Sequence, residues 1–176
     1  MSALPYDPAA LDANKQGRLT QSQAMSLIPM ILMGGIFFLM GAAFAIGSII
    51  GILAILFTTQ ISSGSVIGSA MIGLTGGGLA LVLLAVGYFI GGKRLIDMIR
   101  GKVLFMDGTG NRRLGSGGAG NPSLYYKVGE TDFQIYGKTY HALPDSTKKV
   151  RAYYTPLSKT LINVEMLEDW SFNRAA

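Results

Sequence analysis

Residues 27–57 read LIPMILMGGIFFLMGAAFAIGSIIGILAILF, and residues 66–90 read VIGSAMIGLTGGGLALVLLAVGYFI. Between Arg18 and Lys93 the chain carries no Asp, Glu, Lys, Arg or His. A helix rises about 1.5 Å per residue, so the first run would extend for about 46 Å if wholly helical. The hydrocarbon core of a bilayer is about 30 Å thick and takes about 20 apolar residues to cross. The first run therefore has to tilt, break or project beyond the lipid, and the second is long enough for one crossing. Thr58–Ser65 is short and uncharged and reads as the turn between them. Ser26, with Pro29 close behind it, reads as the helix start: Ser caps free N–H groups, and Pro is tolerated in a first turn. The expectation is a membrane α-helical hairpin of two transmembrane helices.

Outward from the two runs, the basic residues set the orientation. Lys15 and Arg18 precede the first run, and Lys93, Arg94, Arg100, Lys102, Arg112 and Arg113 follow the second. The turn between the runs has none. Positive side chains stay on the cytoplasmic side, so both termini are expected in the cytoplasm, with the hairpin in a cell inner membrane. The helix is expected to continue past Gly91-Gly92 through Leu95, Ile96, Met98 and Ile99 along the interface. Arg94, Asp97 and Arg100 would take its wetter side, the long basic side chains snorkelling. Lys93, Arg94, Arg100, Lys102, Arg112 and Arg113 are the candidate contacts for anionic lipid headgroups. Residues 1–26 form a polar N-terminal arm, loosely ordered, with room for a short amphipathic helix within Pro8–Met25. The arm is too polar and too long for the start of a secretory signal.

Glycine recurs at a spacing of four in the apolar region: Gly47 and Gly51, Gly64 and Gly68, Gly73 and Gly77, Gly87 and Gly91. Small residues at this spacing let helix backbones approach closely. The plainer reading is that the two helices pack on each other; the sharper one is that one stripe docks a neighbour's helix. Gly76-Gly77-Gly78 is weak helix material and marks a kink or a close contact.

Residues 101–166 change character. Lys102–Met106, Leu124–Val128, Phe133–Tyr136, Lys149–Tyr154 and Leu161–Met166 read as short strands with fair alternation. Gly108–Asn121 reads as a Gly-rich loop and Lys138–Leu143 as a helical turn. The expectation is a small all-β SH3/OB-like barrel domain, followed by a tail over 167–176. A domain of this size is marginal alone, so docking would help it. The hairpin with its interfacial extension then covers 27–100.

The chain has 176 residues, of which 49% are hydrophobic and 14% charged. A soluble domain carries about 25% charged residues. There is no cysteine, which excludes disulfides, Cys-ligated zinc, iron–sulfur clusters and thiol nucleophiles. His141 is the one histidine and cannot make a multi-His metal site. It falls in the β region, where a surface histidine is the plainer reading than an axial ligand. Gly115–Gly120 matches G-x-G-x-x-G, but Asn121-Pro122 and a strand follow where a helix should start. A flexible loop is the default there. Tyr125, Tyr126, Phe133, Tyr136, Tyr140, Tyr153 and Tyr154 interleave with lysines, a pattern that can stack single-stranded nucleic acid; cross-strand packing explains it better. Glu165, Glu168 and Asp169 form no acid–base pair with a recognisable partner. The absence of ionisable groups in the two runs disfavours ion transport. No catalytic, cofactor-binding or metal-ligating residue is assigned.

Two spans followed by a small β region resemble the layout of the NfeD-like membrane proteins, whose soluble part is an OB-type barrel. The resemblance implies such a barrel here, although the glycine-rich signature of that family's barrel is not matched. The stretch Lys149–Glu165, KVRAYYTPLSKTLINVE, is similar to a tail in uncharacterised bacterial two-span membrane proteins with a C-terminal small β domain. Neither resemblance implies a functional residue. The expected function is a non-catalytic accessory or assembly subunit of a larger membrane complex, respiratory or photosynthetic. Its partners would be other membrane protein subunits and membrane lipids, with self-association as a homo-oligomer the variant, and without nucleic acid. The alternative is a membrane-anchored binding module whose cytoplasmic barrel recognises a peptide or anionic lipid.

Overall fold

The computed structural model describes residues 8–58, 63–115, 123–135, 140, 141, 143 and 148–167. The chain divides into two compact units, one of residues 28–95 and one that joins residues 1–27 to 96–176. The helices are α1 (Pro8–Lys15), α2 (Gln21–Thr58), α3 (Ser63–Gly87) and α4 (Lys93–Arg100), with one π-helical turn, Tyr88–Gly92, between α3 and α4. The strands are β1 (Leu104–Gly115), β2 (Ser123–Val128), β3 (Thr131–Ile135), β4 (Lys149–Tyr154) and β5 (Leu161–Met166).

Two helical stretches, Gln21–Phe57 and Val66–Arg100, are long and apolar enough to cross a membrane. Only 6% and 11% of their most apolar windows are buried, so their side chains are not packed away as in a soluble core. In the unit 28–95, α2 and α3 lie antiparallel against each other, Gly34 meeting Gly91 at one end and Gly51 approaching Ile72 towards the other. The hydroxyls of Ser48, Ser69 and Thr75 donate to the carbonyls of Phe44, Val66 and Met71 on their own helices. A hydroxyl on an apolar helix is satisfied in this way without water.

Helix α2 begins at Gln21, five residues before the expected Ser26. Thr20 accepts from Gln23 N, and the Gln23 carboxamide accepts from Thr20 N at 3.1 Å. This reciprocal capping box, Thr-Gln-Ser-Gln, satisfies two end groups at once. Ser26 instead donates to the Gln23 carbonyl, and Pro29 lies inside the helix. Nor is the described part of the N-terminal arm loose. After α1, Gly17 N donates to Asn14 O and Arg18 N to Ala13 O, the paired bonds of a Schellman turn, with Gly17 at φ 74° supplying the left-handed residue. Arg18 and Lys102 then form an antiparallel β-bridge.

The five strands form an antiparallel sheet in the order β3-β2-β1-β4-β5. The expected barrel is not closed: β3 and β5 are its two edges. Gly108–Gly115, expected in a loop, belongs to β1, which is twelve residues long. Residues 104–109 of β1 pair with β4, and residues 110–115 pair with β2. One strand thus serves two halves of the sheet. The glycines sit in it because neighbours crowd it. A Cβ on Gly108 would lie 2.7 Å from Gly129 N, and one on Gly110 would strike the Tyr126 hydroxyl and lie 2.7 Å from Cζ of its ring. Over this strand Tyr126, Val128, Phe133, Ile135, Leu143, Val150, Ala152 and Val164 form the core. Tyr126, Phe133 and Tyr153, interleaved with lysines in the sequence, are fully buried. β2, β3, β4 and β5 fall close to their expected bounds. Tyr136, Lys138, Ser116–Gly120 of the dinucleotide-like pattern, and the tail from Glu168 lie outside the described residues.

Candidate functional site

The helical hairpin is held by a seam of small residues. On α2 these are Gly34, Gly41 and Ser48, spaced by seven. A Cβ on Gly34 would fall on the backbone of Gly91, one on Gly41 would lie 3.1 Å from Ala80 O, and one on Gly76 would lie 3.2 Å from the Ser48 Cβ. A Cβ on Gly87 would lie 2.8 Å from the Gly34 carbonyl oxygen. A repeat of seven keeps one seam facing its partner over several turns. Of the sequence candidates, Gly87 and Gly91 lie in this seam. A Cβ on Gly51 or Gly73 would lie 3.5 or 3.2 Å from an isoleucine side chain, and one on Gly47, Gly68 or Gly77 would meet nothing within 4 Å. Gly64 is exposed in the first turn of α3. Gly34 and Gly41 fall outside the spacings of four; their signal in the sequence is a spacing of seven.

Beside the seam lies an open groove of about 420 Å³, lined by Ala43, Phe44, Gly47, Ser48 and Ile72. It is shallow and apolar, and Gly47 keeps its floor bare.

The basic candidates have different surroundings. Lys93 lies over the Phe89 ring, 4.2 Å from its centre, and Arg94 turns back to the Ile90 carbonyl. Arg100 and Lys102 are exposed. Arg112 instead donates to the carbonyls of Leu143 and His141 and stands 5.6 Å from the Tyr140 ring centre, so its guanidinium anchors the 140–143 segment. Arg113 is 3.8 Å from the Asp132 carboxylate. His141 is exposed, its ring edge-on to Tyr140.

One residue that the sequence misplaces, Asp97, and three that it does not single out are polar and buried. Asp97, expected on the wetter side of α4, has 0% exposure. Its Oδ1 accepts from Leu157 N at 3.0 Å and its Oδ2 from Ser158 N at 2.7 Å. Helix α4 is thereby pinned to the β4–β5 turn. Asn14, Gln23 and Asn163, each about 1% exposed, form a second clasp. Asn14 and Gln23 exchange two amide bonds of 2.9 Å, and Asn163 donates to Asn14 Oδ1 at 3.1 Å. The clasp joins α1, the start of α2 and β5. Beside it Lys15 pairs with Glu165 at 2.6 Å, and the Tyr153 hydroxyl donates to Glu165 at 2.8 Å. Burial raises the Glu165 carboxyl, but the bonds from Lys15 and Tyr153 outweigh it and hold it below the usual range. Burial first, then the bond to Glu165, pushes Tyr153 up to about 12. Arg151 grips Asp107 with two bonds of 2.7 and 2.8 Å, which holds that carboxyl low.

Among the described residues no three His, Asp or Glu side chains gather as a metal site would require. The buried polar groups are committed to backbone or to one another, which makes them structural ties. Among the described residues, the apolar groove on the hairpin and the exposed basic side chains of the other unit remain accessible. The chain matches no protein-family model, no curated protein and no solved structure.

Proposed function

We propose that this protein is an accessory or assembly subunit of a larger membrane complex, without catalysis of its own. In this reading α2 and α3 cross a cell inner membrane as a hairpin. Both ends of the chain and the β-sheet unit face the cytoplasm, as the basic residues flanking the two apolar runs favour. The observation that carries the reading is the groove beside Gly47. The seam of Gly34, Gly41, Ser48, Gly87 and Gly91 already serves the hairpin, while the groove along Ala43, Phe44 and Gly47 stays open and apolar. A neighbour's helix or a second copy would gain close packing there.

Gentle detergent extraction followed by affinity purification tests this. The expected result is stoichiometric recovery of other membrane chains. Gly47→Leu should abolish that recovery while leaving the hairpin folded, because a side chain there meets nothing within 4 Å in its own unit. Recovery of the same chains at parental stoichiometry with Gly47→Leu, or migration of the parent as a lone monomer, overturns the proposal. Reporter fusions near each terminus check the orientation.

A further inference from the structure

We infer that Arg18 and Lys102, held face to face by a β-bridge and extended by Arg100, bind the phosphate of an anionic phospholipid headgroup. The inference rests on the membrane reading above and adds a site to it. Leu19 N donates to Gly101 O and Val103 N to Gly17 O, both at 2.9 Å. These two bonds flank the bridge, so Arg18 and Lys102 are a non-hydrogen-bonded antiparallel pair. Directly opposed side chains stand closest in that kind of pair and leave the same face. Like charges so placed repel one another. Both side chains are exposed, and the ion pairs among the described residues use Lys15, Arg113 and Arg151 instead.

The backbone is built to hold this juxtaposition. A Schellman turn at Gly17 delivers Arg18 to the bridge. On the other side Gly101, at φ 60°, ends α4 with its N–H on the Asp97 carbonyl and delivers Lys102. Two left-handed glycine turns thus bring together cations that lie 84 positions apart in the chain. An anion between them would relieve the repulsion.

The neighbouring side chains say which anion. Ile99 is 75% exposed, and Leu104, two residues from Lys102 and so on its face of the extended chain, is also exposed. They flank Arg100 and Lys102 in sequence, in the same unit. A soluble phosphate would leave these apolar side chains in water. At a bilayer surface they reach the acyl boundary while the cations take the phosphate level.

The test uses the full chain in detergent, titrated with phosphatidylglycerol, phosphatidylcholine or inorganic phosphate and read by native mass spectrometry. The parent should retain phosphatidylglycerol over phosphatidylcholine. Arg18→Gln/Lys102→Gln should weaken that retention about tenfold or more, as expected when two basic groups near a headgroup are lost. Thermal stability without lipid should hold or rise, since the repulsion is gone. Arg18→Glu supplies Lys102 with an opposite charge, keeps the fold, and should lose the selectivity equally. Lys148→Gln, at an exposed lysine elsewhere in the same unit, should retain it. Unchanged retention in both Arg18 variants overturns the site, and so does equal displacement by inorganic phosphate. Release of the chain from membranes by alkaline carbonate overturns the membrane reading with it, whereas a chain that resists carbonate and still ignores the substitutions overturns the headgroup site alone.

Discussion

Asp97→Ala removes a buried carboxylate that holds two backbone N–H groups of the β4–β5 turn. Hydrogen bonds to a charged group contribute about 1.5–3 kcal/mol each. Leu157 is partly exposed, so water regains access to the turn once the carboxylate is gone, and the lower end of that range applies. Two such bonds give a loss of about 3 kcal/mol. For a unit of this size that corresponds to a fall in Tm of about 12 °C. Asp97→Asn keeps one acceptor for Leu157 N but presents a donor to Ser158 N, so it should lose about half as much. The aromatic circular dichroism of the purified chain in detergent reports the sheet unit, where Tyr126, Phe133 and Tyr153 are buried. Trypsin cleavage after Lys159, which sits in the pinned turn at φ 49°, gives an independent reading and should accelerate. An Asp97→Ala protein whose Tm stays within about 3 °C of the parent, with unchanged cleavage, would refute the role given to this carboxylate.

Further outcomes follow from the same geometry. With no native cysteine in the chain, Ser48→Cys/Gly76→Cys should form an intramolecular disulfide on oxidation, because a Cβ at 76 lies 3.2 Å from that of Ser48, close to the separation a disulfide needs. Adding Gly91→Leu should abolish that crosslink by forcing the helices apart at Gly34, as a gel-shift assay after proteolysis between the helices would show. Gly110→Ala should destabilise the sheet unit by about 1–3 kcal/mol through overpacking against Tyr126, and Tyr126→Phe should restore part of it by removing the nearest atom; calorimetry checks both. The pH dependence of stability should fall at both ends. Glu165 is lower in the fold than when unfolded, so its contribution is present above the usual carboxylate pKa and is lost as pH drops through the folded value. Tyr153 is raised, so its contribution is complete below pH 10 and is lost as pH climbs towards about 12. Lys15→Met should shrink the acid limb in a thermal series across pH.

The candidate sites were legible in the sequence to different depths. Lys93, Arg94, Arg100 and Lys102 stand out because charge resumes abruptly after the apolar region. Arg18 was read as an orientation signal, and its position opposite Lys102 follows only from the bridge between residues far apart in the chain. Gly87 and Gly91 were found by their spacing, whereas Gly34 and Gly41 escaped because a spacing of seven is longer than the one sought. Asp97 was assigned to water because its neighbours Arg94 and Arg100 are charged. A carboxylate that accepts two backbone N–H groups can be buried, and its donors at Leu157 and Ser158 lie some 60 residues away.

The sequence by itself determined the two long apolar helices and four of the five strands. Each is governed by local pattern: uninterrupted apolar side chains, or alternation bounded by turn residues. The stretch Gly108–Asn121, rich in glycine, arginine and asparagine, looks like a loop by the same local rules. Only the tertiary structure decided that Gly108 and Gly110 continue a strand, because their missing side chains make room for Gly129 and Tyr126 across the sheet. It also decided that the sheet stays open, and that the N-terminal segment is bound to it through Asn14 and Asn163, 149 positions apart. Contacts of that range depend on which backbones come close, and periodicity along a chain carries no record of that approach.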